Sequence, residues 1–183
     1  MIEPANGVML IAEPFLKDPN FMRTVVLLCA HNEKGSMGFV INRKQEYTLN
    51  ELISDAEDLM LPVYYGGPVE MDTIHFLHRC PELIPQSHEV CSDIYWGGHF
   101  ETAIKLLREG RIHSSQIRFF IGHSGWSEGQ LNEELTQHSW LTVEASSDLI
   151  FKKDEKELWK ESLRLLGGDF EQMVHYPIDP QLN

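Results

Sequence analysis

The chain has little positive charge. Its 183 residues hold 15 Lys and Arg against 28 Asp and Glu, a formal net charge of −13. The deficit grows along the chain: residues 1–44 carry five basic and four acidic side chains, residues 127–183 five and twelve. Such a field repels phosphate backbones and anionic lipid, so neither direct nucleic-acid binding nor membrane association is expected. No basic stripe, zinc finger or RNA-binding aromatic pattern opposes that exclusion. Apolar runs are short as well. The longest, Val25 to Ala30, falls far below the roughly 20 residues that cross a bilayer. The opening Met1-Ile2-Glu3-Pro4 lacks the basic head and apolar stretch of a secretory signal. Cysteine is scarce and odd in number (Cys29, Cys80, Cys91), which argues against a disulfide framework and for a reducing, cytoplasmic setting. Phosphate-cradling glycine loops are missing too. Gly66-Gly67, Gly97-Gly98 and Gly167-Gly168 fit neither the nucleotide nor the dinucleotide fingerprint, and close backbone approach or a positive φ suffices to explain them. No repeat, low-complexity tract or Pro/Gly/Ser-rich linker divides the chain, so residues 1–183 are expected to form a single domain.

What is present alternates short apolar strands with a few helices. Gly7–Ala12, Thr24–His31 and Met37–Asn42 read as strands, the last two joined through Lys34-Gly35-Ser36 into a hairpin over 24–42. Thr48-Leu49-Asn50-Glu51 has the form of a capping box, and Leu49, Leu52, Ile53, Ala56 and Leu59 follow at helical spacing. Val63–Tyr65 and Thr73–Arg79 are predicted strands on either side of Gly66-Gly67-Pro68, with another at Asp93–Trp96. Phe100, Ala103, Ile104 and Leu107 mark a helix that stops at Gly110. Gln116–Ile121 is a predicted strand. Ser127 with Gln130 forms a second capping box, opening a helix over 128–138. Trp140–Ala145 is a strand, and Asp154 with Glu157 caps a last helix that ends at Gly167-Gly168. Two strand pairs are joined too tightly for helical crossovers. The expected class is therefore α+β with much antiparallel pairing.

Three groups of residues invite a chemical reading. Gly122-His123-Ser124-Gly125-Trp126, between a strand and a capped helix, resembles the nucleophile elbow of α/β-hydrolases, but Trp126 stands where the second glycine belongs and the downstream order of acid and histidine is wrong. A tight turn that places the Trp126 ring in the core is the favoured reading of the segment. His75, His78, Cys80, His88 and Cys91 cluster in the middle of the chain. On a strand, however, His75 and His78 point to opposite faces, so they cannot share an ion, and no metal is expected. The third group pairs Gly66, Gly67 and Pro68 with Gly122, His123, Ser124, Gly125, Trp126 and Gln130. Both segments follow apolar strands, and strand-end loops on a rigid sheet are where binding residues collect. These nine residues form the candidate binding surface. No catalytic residue and no cofactor is assigned.

Taken together, GVMLIAEPFLKDPNFMRTVVLLCAHNEKGSMGFVIN (Gly7 to Asn42), YGGPV (Tyr65 to Val69) with LHRC after it, and IGHSGWSEGQLNEELTQHSWL (Ile121 to Leu141) resemble the AlgH/YqgE family of small bacterial proteins. The match spans nearly the whole chain. It implies a cytoplasmic protein without established biochemistry, and an α+β fold on a coiled, largely antiparallel mixed sheet, partly barrel-like and flanked by helices. Some members are labelled transcriptional regulators. The recurring motif residues correspond to His31, Gly38, Asn42, Gly66, Gly67, Pro68, Gly122, Gly125, Trp126, Gly129 and Gln130. The chain departs from the pattern at His123 and Ser124, where Tyr-Ala or Tyr-Ser is usual, and at Tyr95-Trp96-Gly97-Gly98. Since fold does not imply function, three readings stand side by side. The first is a non-catalytic protein that binds a protein or small molecule. The second is a regulator acting through a protein partner, and the third a hydrolase using Ser124 or a metal enzyme.

Overall fold

Every residue of the first strand, β1 (Val8–Ala12), is buried. Met9 and Ile11 enter one apolar cluster, while Val8, Leu10 and Ala12 enter another on the opposite face. A strand covered on both sides shows no polar alternation, which is why this segment reads as a continuous apolar run. β2 (Val25–Asn32) repeats the arrangement, with Val25, Leu27 and Cys29 on one side and Val26 and Leu28 on the other. The computed structural model describes residues 1–151 and 154–177.

The remaining elements follow in order as β3 (Gly35–Val40), β4 (Lys44–Thr48), α1 (Leu49–Leu52), β5 (Pro62–Tyr65), β6 (Val69–His78), β7 (His88–Cys91), β8 (Ile94–Trp96), α2 (Phe100–Arg108), β9 (Ile117–Ser127), α3 (Gln130–Thr136), β10 (Trp140–Glu144), α4 (Ser147–Ile150), α5 (Glu155–Leu166) and α6 (Asp169–Met173). The strands form one sheet in the order β10-β1-β2-β3-β9-β6-β8-β7, with β4 and β5 off that path. β5 runs parallel to β9, and the other described pairings are antiparallel. The sheet curls into a half-barrel, and the α+β class expected from the sequence is what the structure contains. α5 covers one face through Leu158, Trp159 and Leu163, and the Trp159 indole N–H donates to the Ala12 carbonyl at 2.8 Å. α3 covers part of the other face through Leu131.

Several boundaries differ from expectation, each for a local reason. The helix predicted through Leu59 ends at Leu52, because Ile53 is extended and only a single 3-10 turn (Ser54–Ala56) follows. Its capping box does form, the Thr48 N–H donating to Glu51 Oε2 at 2.7 Å. α3 starts from Gly129 in a left-handed conformation rather than from Ser127, although Gln130 Oε1 still reaches back to the Ser127 N–H at 3.0 Å. β4 and β7 were not predicted. Their polar, short segments carry no apolar alternation. The largest correction concerns residues 122–127. They form no tight turn but continue β9, which runs from Ile117 to Ser127.

β9 is the axis of the molecule. Its first half lies between β5 and β6, with Phe119 opposite both Val63 and Phe76. Gly122, at φ +69°, breaks the ladder, and the second half then pairs with β3, Ser124 opposite Gly38 and Ser127 opposite Gly35. At this switch the two glycine segments pack backbone to backbone. A Cβ on Gly67 would lie 2.2 Å from the His123 carbonyl oxygen, and one on Gly122 would lie 2.5 Å from that of Gly67. Neither position has room for a side chain.

Candidate functional site

The 66–68 and 122–130 segments meet, though 122–127 belong to the continuous strand β9 and not to a strand-end turn. Gly66 N–H donates to the Ile121 carbonyl at 2.9 Å, and the Gly66 carbonyl accepts from Val40 N–H at 2.8 Å and from Ser124 Oγ at 3.0 Å. The meeting is an interior one, however. Gly66, Gly67, Gly122, Ser124 and Trp126 are buried, Ser124 completely so. The glycines serve backbone contact between strands, and a substrate carbonyl has no path to Ser124 Oγ. Trp126 stacks near Phe21 and Trp140 at ring distances of 6.1 and 6.0 Å, and Glu134 Oε2 accepts both indole N–H groups, at 2.9 Å from Trp126 and 2.7 Å from Trp140. Of the nine predicted residues, Pro68, Gly125 and Gln130 are exposed and His123 is half-buried.

His123 acquires partners that no sequence spacing announces. β6 and β9 are adjacent, and their register shifts between Val69 and Ile74, a stretch that includes Glu70, whose backbone is left-handed at φ +50°. Glu70 Oε2 lies 3.7 Å from His123 Nδ1, the His75 and His123 rings meet edge to face at 5.8 Å, and one donor atom from each of the three residues lies within 4.8 Å of the others. Both His75 Nε2 and His123 Nδ1 are buried without a hydrogen-bond partner. Burial, reinforced by the neighbouring His123 charge and opposed by Glu70, holds the His75 imidazole below its usual range, so it is neutral at pH 7.

His75 also lines a cavity of about 340 Å³ with Ile53, Ile74, Phe76, Trp96, Gly97, Gly98 and Phe100. The wall is aromatic and aliphatic, and His75 is its one titratable group. A larger cleft of about 610 Å³ is lined by Asp55, Glu57, Asp58 and Glu101, and its single cation, Arg108, is held by Asp58 at 2.7 Å. That cleft is a solvated acidic rim.

His78 faces away from His75, as strand geometry dictates, and is structural. It is fully buried, Nδ1 accepts from Cys80 N–H at 3.1 Å, and Nε2 lies 2.9 Å from both the Gly97 carbonyl and Ser87 Oγ. A histidine–serine pair crosses the β2–β3 hairpin, where His31 Nδ1 and Ser36 Oγ lie 2.7 Å apart as directly opposed residues. Among the described residues no helix is long and apolar enough to cross a membrane.

A family model described as AlgH-like matches residues 9–171. A UPF0301 protein of Cytophaga hutchinsonii is 40% identical over 179 residues, covering 97% of this chain and 98% of its own. One from Chlorobaculum tepidum is 41% identical over 177 residues, covering 97% and 95%. The solution structure of the AlgH protein from Pseudomonas aeruginosa superposes with a TM-score of 0.73 at 28% identity, covering 97% of this chain and 98% of that one. A Corynebacterium diphtheriae crystal structure gives 0.77 at 18% identity over 96% and 94%, a likeness of fold. None of these descriptions names an activity. The chain belongs to the AlgH-like family.

Proposed function

We propose that this chain is a non-catalytic cytoplasmic binding protein that takes a small, apolar-bodied ligand in the cavity between β6, β8 and α2. The observation that carries the reading is the composition of that cavity: a wall of Ile53, Ile74, Phe76, Trp96 and Phe100 around one neutral imidazole. Ligand sites are typically apolar concavities of about 300–1,000 Å³ with a few placed polar groups, and this cavity lies at the small end of that range. Trp96 and Phe100 supply stacking faces beside the His75 ring. Hydrolysis at Ser124 has no support from this geometry, since its hydroxyl is enclosed and bonded to a carbonyl. A charge of −13 works against phosphate contact, so this reading assigns any control of transcription to a protein partner and not to bound DNA. The test uses anilinonaphthalene sulfonate as an apolar probe whose fluorescence rises on burial. Saturable binding to the wild type that is lost in Ile53→Trp, which fills the cavity from its rim, supports the reading. Probe binding that is absent, or indifferent to Ile53→Trp, contradicts it.

A further inference from the structure

Two buried imidazole nitrogens without hydrogen-bond partners, beside a carboxylate, are an unusual combination. A buried polar atom left unpaired is costly, and native structures seldom tolerate two of them side by side without a use. The atoms concerned are His75 Nε2 and His123 Nδ1. The backbone adds a second, independent sign. Glu70 is a non-glycine residue at φ +50°, and backbone held in so sparsely populated a region clusters at ligand clamps and functional sites.

From this juxtaposition we infer that Glu70, His75 and His123 form a binding site for one divalent transition-metal ion of the zinc class. The donor set is two imidazoles and one carboxylate, the ligand chemistry of three-residue sites that leave a coordination position open. Metal–ligand bonds of about 2.0–2.2 Å place tetrahedral ligands roughly 3.3 Å from one another. The Glu70–His123 pair is already at 3.7 Å, and all three donor atoms lie within 4.8 Å. The two histidines are fixed by neighbouring strands, whereas Glu70 is exposed and its side chain free to close the remaining distance. The acidic surface favours cation capture at long range. His75 belongs at once to this cluster and to the apolar cavity wall, so an ion here would stand beside the cavity. Strand periodicity excludes His75 with His78 as a ligand pair. The second histidine comes instead from another strand.

Zinc chloride titrated calorimetrically into chelator-stripped, tag-free protein tests the proposal, with Co²⁺ absorption as a second readout. The expected result is one ion per chain and visible bands of a low-coordinate Co²⁺ site. His75→Ala and His123→Ala should weaken zinc at least 100-fold, and Glu70→Gln about 10-fold or more, with His138→Ala unchanged. Absence of stoichiometric zinc, or zinc binding indifferent to these three positions, overturns the proposal. Glu70 is on the surface, so Glu70→Gln decides the matter should either histidine variant fail to fold. Ile53→Trp separates the two readings, since it blocks the cavity and should leave zinc binding intact.

Discussion

Ser124 and Gly67 lie on opposite sides of one strand contact, and their replacement by alanine is expected to have very different consequences. The Ser124 hydroxyl donates to the Gly66 carbonyl, but that carbonyl also accepts from Val40 N–H at 2.8 Å. Ser124→Ala therefore leaves no orphaned acceptor and should cost no more than about 1 kcal/mol. Gly67 has φ +149° and no space, since an added methyl would lie 2.2 Å from the His123 oxygen. Gly67→Ala should cost at least about 3 kcal/mol, in the range reserved for backbone strain and overpacking. Urea unfolding of both variants checks the pair, and a larger loss for Ser124→Ala would refute the account of the motif. This contrast also marks a limit of sequence reading. Gly-His-Ser-Gly-Trp looks like chemistry because glycine, serine and histidine serve active sites and strand crossings alike. Only the partner strand, supplied by Gly66 and Gly67, tells which.

At the scale of elements, β9 carries most of the organisation and was only half visible. Ile117–Ile121 is apolar and reads as a strand. Beyond it, Gly122, Ser124 and Gly125 lower the local strand propensity, and the continuation to Ser127 comes from tertiary pairing with β3. β1 and β2 were legible because both faces are buried. The Glu70–His75–His123 cluster was not. It depends on the register between β6 and β9, and the shift between Val69 and Ile74 removes the parity by which alternating faces could be counted. α3 offers a test of the opposite face. Glu134 Oε2 accepts the indole N–H of Trp126 and of Trp140, and Oε1 accepts from Gln130 Nε2 at 3.0 Å. Glu134→Ala strands two part-buried donors and should destabilise by about 2–6 kcal/mol, at roughly 1–3 kcal/mol for each group left unpaired. Thermal unfolding and a changed tryptophan emission spectrum report it. A stability equal to wild type would show that α3 does not clamp this face.

For the whole molecule, acid sensitivity follows from a buried neutral histidine. Burial lowers the His78 pKa, opposed in part by its bond to the Gly97 carbonyl and by the Glu82 charge. Nδ1 is already occupied as an acceptor from Cys80 N–H, so the added proton has no room. The folded value thus lies below the unfolded one, about 6.5. Above that value both states are neutral and the group has no effect. As pH falls below it the unfolded chain takes up the proton first, and stability declines until the folded value is passed. Denaturant midpoints should therefore fall between pH 7.5 and 5.5, above the range in which most carboxylates titrate. A flat or rising midpoint over that interval would contradict the placement of His78. The α+β class was readable from the pattern of the sequence. The cavity was not, because its wall joins Ile53, residues 74–76, and Trp96, Gly97, Gly98 and Phe100 from three separate segments of the chain.

The central claim is that the apolar binding cavity of this molecule lies at His75, Trp96 and Phe100, and not at Ser124. One set of anilinonaphthalene sulfonate isotherms on the wild type, Ile53→Trp and Ser124→Ala addresses it directly. The account predicts saturable binding with one probe per chain, unchanged in Ser124→Ala and weakened at least about tenfold, or 1.4 kcal/mol, in Ile53→Trp. Binding lost in Ser124→Ala and retained in Ile53→Trp would contradict it.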